Sequence, residues 1–204
     1  MSPQVKTPFL FSAWFQALPL WWRHAWADAR GSGRVLPQAS LARIEAHVAQ
    51  GERTHSGQIR VCVETHLPRS YLWRFVRHGT PLANLIQQRA LMLFSKLRVW
   101  DTPLNNGVLI HVLLAERAIH VVADRGVNAC VSPDHWLSVI APMQSAFAQG
   151  AFETGLLDAV DAVSATVALY FPRAAKATGA SQGPEGDVAE GEPSNSLPDA
   201  PVIG

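Results

Sequence analysis

The chain has 204 residues and a mass of 22.2 kDa, enough for one domain of ordinary size with extensions. Hydrophobic residues at 48% against charged residues at 16% exclude wholesale disorder. The net charge of +1, from 17 basic and 16 acidic side chains, excludes the electrostatic footprint of a nucleic-acid binder, and the two cysteines, Cys62 and Cys130, form neither a disulfide scaffold nor a C-x-x-C zinc pattern.

In chain order, the first stretch holds four of the seven tryptophans: Trp14, Trp21, Trp22 and Trp26. Its apolar run from Pro8 to Trp26 is interrupted by Gln16, Pro19, Arg23 and His24, which breaks it as a membrane span. A lysine near the start and the small-residue site at Ala25-Trp26-Ala27 fit a signal peptide, but Pro19, Trp21, Trp22 and Arg23 fall where a smooth apolar segment should end. Residues 1–35 are therefore read first as a Trp-rich helical arm docked on the domain, and second as an interfacial membrane anchor.

From Pro37 to about Arg53, Leu41, Ile44 and Val48 recur at helical spacing. Ser56-Gly57 punctuates, and Gln58 to Thr65 alternates as a strand, with Ile59, Val61 and Val63 on one face and Arg60, Cys62 and Glu64 on the other. A second helix is predicted from Pro81 to Leu97, followed by a polar loop over 98–107. The apolar run from Val108 to Ala115 reads as a central strand, Glu116-Arg117 as a tight turn, and Ala118 to Ala123 as the returning antiparallel strand. Two more helices are predicted, over Asp134–Gln149 with a kink or break at Pro142, and over Phe152–Tyr170 with a stop at Phe171-Pro172. Residues 173–204 carry two basic and five acidic groups, leaving fifteen basic against eleven acidic, a charge of +4, on residues 1–172. This acidic, Pro- and Gly-rich tail has almost no large apolar residue before Leu197 and is predicted to be disordered. Its last segment, Leu197 to Ile203, is read either as a frayed end or as a short motif that docks on the domain or on a partner.

The connectivity then gathers the chemistry. A helix joins the first and central strands, so they should be parallel, whereas the tight turn makes the third strand antiparallel. Asp124-Arg125-Gly126 should thus lie beside Asp101 and Asn105-Asn106-Gly107, with His55, Ser56 and Gly57 on the same rim. Carboxylate and amide oxygens are the ligand set of hard cations such as Ca²⁺ and Mg²⁺, and a cation relieves repulsion between neighbouring carboxylates. Arg125 beside it suits a phosphate or carboxylate. The alternative stays open that Asn-Asn-Gly is turn chemistry, that Asp101 caps a turn, and that Asp124 pairs with Arg125. His111 and His120 should share one sheet face, diagonally placed, with no carboxylate or cysteine placed to complete a metal site. Packing under a helix is preferred to a transition-metal pair. Both cysteines are expected to be buried small apolar residues.

Leu97-Arg98-Val99-Trp100-Asp101-Thr102, Asn105-Asn106-Gly107-Val108-Leu109-Ile110 and Val121-Val122-Ala123-Asp124-Arg125-Gly126 resemble the TPM domain family. The likeness continues through Trp136, Met143, Phe147, Gly150, Phe152, Gly155 and Phe171-Pro172, covers about residues 36–172, and is greatest with small bacterial members ending in a Leu-Pro-Asp-x-Pro-Val tail, here Leu197 to Val202. The resemblance implies a Rossmann-like α/β/α sandwich with a small mixed central sheet, and Ca²⁺ or Mg²⁺ binding at the rim. On it, Asp101, Asn105, Asn106 and Asp124 are the expected cation ligands, Arg125 the anion-facing group, His55 and Ser56 lesser contributors, and Trp100 a residue packed under the loop to fix it. Asp101, Asp124 and Arg125 are also the candidate catalytic residues.

Family members include acid phosphatases as well as binding or repair-assisting modules, so two readings follow. The first is a cation-binding module that meets a protein partner, and the second is metal-assisted hydrolysis of phosphomonoesters. Lack of an obvious nucleophile favours the module. The resemblance also implies a LemA-type membrane protein as partner. No segment after residue 172 is apolar enough to span a bilayer, unlike members with a transmembrane segment there, so a cytoplasmic protein, at most peripheral at the membrane, is expected.

Overall fold

The computed structural model describes Trp22, His24, residues 35–173 and residues 197–204. Its order is α1 (Gln38–Gly51), β1 (Gln58–Glu64), α2 (Arg69–His78), α3 (Leu82–Lys96), β2 (Gly107–Leu113), a 3₁₀ turn (Leu114–Glu116), β3 (Ala118–Ala123), α4 (Arg125–Asn128), α5 (Pro133–Ala148), α6 (Phe152–Tyr170) and β4 (Val202–Ile203). The sheet runs β3-β2-β1-β4, with β1 parallel to β2 and β4, and β2 antiparallel to β3. This is the mixed α/β sandwich that the sequence implied.

Both faces of β1 and β2 are buried, which is why β2 reads as an unbroken apolar run. Ile59, Val61, Val63, Val108, Ile110 and Val112 pack against α1, α5 and α6 through Ile44, Val48, Ile140, Phe147, Leu156 and Val163. On the opposite face, Leu109 and Val122 meet Ala90 and Leu93 of α3, and Leu113 meets Leu72 of α2. The helix bounds follow local chemistry: Pro37, Pro68 and Pro81 stand at the starts of α1, α2 and α3, and Gly79 ends α2 with φ +61°.

Several expectations change. Pro142 lies inside α5, which continues through it as one helix over Pro133–Ala148. The helix α2, Arg69–His78, has no counterpart among the elements the sequence predicts. The turn after β2 is longer than two residues, because Leu114–Glu116 forms a 3₁₀ turn closed by Arg117 at φ +50°. That shifts the register, and His111 pairs directly with His120 instead of diagonally. Cys62 is buried, but Cys130 is exposed just after α4.

At the ends of the chain, the predicted disorder of 174–196 and most of the Trp-rich arm lie outside the described residues. Within the arm, Trp22 is exposed and His24 is buried. His24 Nδ1 accepts the Leu67 N–H at 3.1 Å, and its Nε2 lies 3.2 Å from Glu116 Oε1. The arm is docked at that point. The segment 197–204 is not frayed. Leu197 is buried and β4 extends the sheet, as the docking alternative held. No helix among the described residues is long and apolar enough to cross a membrane.

Candidate functional site

The rim begins where α3 stops. Arg98 takes a left-handed conformation (φ +56°), its N–H bonds to the Ser95 carbonyl, and the Val99 N–H reaches back to Phe94 at 3.0 Å. Val99, the apolar residue this motif turns inward, is fully buried. Trp100, expected beneath the loop, is instead 49% exposed, with the Arg98 guanidinium 6.0 Å from its ring centroid. Val99 therefore has the fixing role. A Cβ on Gly107 would stand 1.9 Å from the Val99 carbonyl oxygen, so the loop closes onto the start of β2 only because residue 107 is glycine.

Asparagine chemistry builds the rest. The Asn105 N–H bonds to the Thr102 carbonyl, Asn105 is left-handed (φ +52°), and the buried Thr102 hydroxyl accepts the Asn106 N–H at 3.0 Å. The Asn105 carbonyl accepts the Gly126 N–H at 2.9 Å, and its side-chain Oδ1 accepts from Arg125 at 2.7 Å. The Asn106 carbonyl accepts the Gln58 N–H, and its side-chain amide faces Ser56 Oγ at 3.4 Å. A Cβ on Gly126 would lie 2.6 Å from the carbonyl oxygens of both Leu104 and Asn105. The two loops are thus joined at van der Waals closeness.

Asp124 is the central group. Its N–H donates to the Gly107 carbonyl, and its Oδ1 accepts the Arg125 N–H at 2.7 Å, capping α4. Its Oδ2 is buried without a hydrogen-bond partner. An orphaned buried carboxylate oxygen is costly unless something positive or hydrogen-bonding meets it. Arg125 is exposed, and Asp101 is half exposed and engaged by the Arg98 guanidinium. His55 is fully buried, with Nδ1 2.9 Å from the Gly57 carbonyl oxygen, and burial lowers its pKa. It braces the rim from within. Among the described residues no three His, Cys, Asp or Glu side chains gather as a metal set. A hard cation at this rim would rest on Asp124 with amide and main-chain oxygens, a donor chemistry that fits Ca²⁺ or Mg²⁺.

A second polar cluster lies under α3, and sequence reasoning missed it. Glu64 accepts from Arg89 Nε at 2.8 Å and from Arg89 NH2, while His111 Nε2 sits 3.1 Å from its Oε2. Burial pushes this carboxyl up, but the bonds from Arg89 and His111 outweigh it and hold its pKa down at about 2. His120 beside His111 is lowered by burial and by its neighbour. A carboxylate and a cysteine stand beside the histidine pair, since Glu64 meets His111 and Cys62 is in register with it, but among the described residues no three such groups gather as a metal set. Burial and the Glu64 charge push the Cys62 thiol up to about 12, so it is no nucleophile. The alternation of Arg60, Cys62 and Glu64 on one face was the available signal.

An α/β sandwich with a carboxylate–carboxamide rim at one end of its sheet is the class that fold and site define. A family model, the TPM domain, matches residues 32–166, and the chain belongs to that family. Among solved structures it is similar to the NMR structure of the BA42 protein from the psychrophilic bacterium Bizionia argentinensis. The TM-score is 0.60 at 25% identity, over 83% of this chain and 95% of that one. No curated protein matches the chain.

Proposed function

We propose that this TPM domain binds a divalent cation, Ca²⁺ or Mg²⁺, at the rim and serves as a binding module whose partner-facing loops the cation stiffens. The observation that carries this reading is the buried, unpartnered Oδ2 of Asp124. Asp124 would be the charged ligand, with Asn105, Asn106 and Asp101 supplying side-chain or main-chain oxygen from the facing loop. The cation, when bound, would supply positive charge that relieves the buried carboxylate and links the 98–107 loop to the start of α4. The partner in this reading is a protein, and the family resemblance suggests a LemA-type membrane protein met at the membrane surface.

Calorimetric titration with Ca²⁺ and with Mg²⁺ tests it, wild type beside Asp124→Asn. Asparagine retains an oxygen to cap α4 but removes the charge. Heat with the wild type and none with the variant is expected. Equal heats, or none from either protein, would sink the proposal.

The exposed Arg125 guanidinium at the same rim favours a second reading, hydrolysis of phosphomonoesters, in which Arg125 holds the phosphoryl oxygens. Cation-dependent release of phosphate from a phosphomonoester, lost in both Asp124→Asn and Arg125→Ala, would support it. Cation binding without turnover leaves the module reading alone.

A further inference from the structure

We propose that the outer edge of β1, with the trough between it and α3, is a recognition site for an extended Leu-Pro-Asp-x-Pro-Val peptide. In this chain the site is filled by the chain's own residues 197–204, and it is open to the same segment from a second copy. The segment is held as β-addition ligands are held, by main-chain bonds along an edge and side-chain anchors beside it. Val202 and Ile203 pair in parallel with Cys62 and Val63. The Gly204 N–H donates to the Val63 carbonyl at 3.0 Å, and the Gly204 carbonyl accepts from the Thr65 N–H at 3.2 Å and from its hydroxyl at 3.3 Å.

Side chains supply the selectivity. Leu197, only 6% exposed, enters an apolar socket made with Ala90, Leu93, Val99 and Leu109. Arg60 donates to the Pro198 carbonyl, which ties the residue after the anchor to the edge strand. A Cβ at the position after Ile203 would lie 3.3 Å from the Glu64 side chain, a tight approach that a larger residue meets only if Glu64 gives way slightly. Pro198 and Pro201 restrict the free peptide and lower the cost of ordering it.

Arg173 and Asp199 both act on the Glu52 carboxyl, so the ends of the link lie within electrostatic reach of one group. The 23 residues between Arg173 and Leu197 could span on the order of 75 Å if extended. Such a length does not force the tail into its own domain, and a second copy can present the identical segment. In-cis occupancy dominates at ordinary concentration, because a tethered ligand acts at roughly millimolar effective concentration.

Full-length complementation tests the site. One chain carries Leu197→Asp, which disables its tail and leaves the trough intact. The other carries Arg60→Glu, which disables the trough and leaves the tail intact. Each alone should be a monomer by light scattering, and the equimolar mixture should form a 1:1 heterodimer that a synthetic peptide of residues 197–204 dissolves. Two folded monomers that ignore each other would overturn the proposal. Should either variant fail to fold, amide hydrogen exchange on the wild type decides. Millimolar peptide should slow exchange at Thr65 and speed it at Gly204, as one tail replaces another. Exchange unchanged at both positions would overturn the proposal.

Discussion

Glu64 closes β1 and Asp124 follows β3, both with buried carboxylates, yet their surroundings differ in kind. Glu64 has Arg89 on one side and His111 on the other, and its charge is fully met inside the protein. Asp124 spends one oxygen on the cap of α4 and keeps the other buried and unmet, at a rim where two loops meet. A charge satisfied by the fold contributes to stability and specificity, whereas a charge left over invites a ligand. The fold encloses the first under α3 and leaves the second at the sheet's end.

The largest expected effect comes from breaking the enclosed site. Arg89→Met strands the Glu64 carboxylate, so denaturant unfolding should show a loss of about 3–5 kcal/mol, the usual cost of uncoupling a buried pair. A loss below about 1 kcal/mol would mean that Glu64 is as poorly met as Asp124, and the contrast would fail.

Protonation separates Glu64 from a third buried carboxyl, Glu52. Glu64 is held low, at about 2, so its contribution is present above its unfolded value of about 4.5 and is lost as pH falls through 2. Glu52 is raised to about 7, chiefly by burial and further by Asp199, against the Ile59 N–H bond and Arg173. Folding therefore favours its protonated form. Its contribution is greatest below about 4.5 and falls away as pH rises through 7, by at most about 3 kcal/mol. Between pH 5 and pH 8 this loss opposes the gain expected from His55 and His120, whose lowered pKa values favour their neutral forms in the fold, so in unfolding measurements Glu52→Gln should raise the stability at pH 8 relative to pH 5 beyond the wild-type difference. An equal slope in the variant would contradict this assignment.

Gly126→Ala strikes the rim by shape instead of charge. Its Cβ would meet two carbonyl oxygens at 2.6 Å, so a loss of about 1–3 kcal/mol and of the cation response is expected. The smallest effect on stability is expected from Asp124→Asn without cation, within about 1 kcal/mol of wild type, because the cap survives. The same variant should lose all thermal stabilisation by Ca²⁺ or Mg²⁺.

Periodicity made most of the scaffold legible. The strand Gln58–Glu64, the buried run of β2 and the stripes of α1, α3 and α6 stand close to where their apolar spacing put them. The helix α2 was missed because only Leu72 and Val76 of its ten residues are buried, too few for a stripe. The rim's composition was readable from Asn105-Asn106-Gly107 and Asp124-Arg125-Gly126, since turn chemistry is local. The loop's anchor was not, because a left-handed Arg98 turns Val99 inward and Trp100 outward, and no composition rule announces a left-handed arginine. The Glu64–Arg89–His111 cluster joins three separate elements and needs the register of the fold to be seen. The docked tail depended on which edge of the sheet lay free.

The most direct test is to follow the backbone amides of the full chain by nuclear magnetic resonance while Ca²⁺ or Mg²⁺ is added. Shifts should concentrate at Asn105, Asn106, Gly107 and Asp124 to Val127, leave Glu64 and its partners unmoved, and vanish in Asp124→Asn. Saturable shifts centred elsewhere, or none at the rim, would contradict the claim that the unmet carboxylate of Asp124 is a cation site.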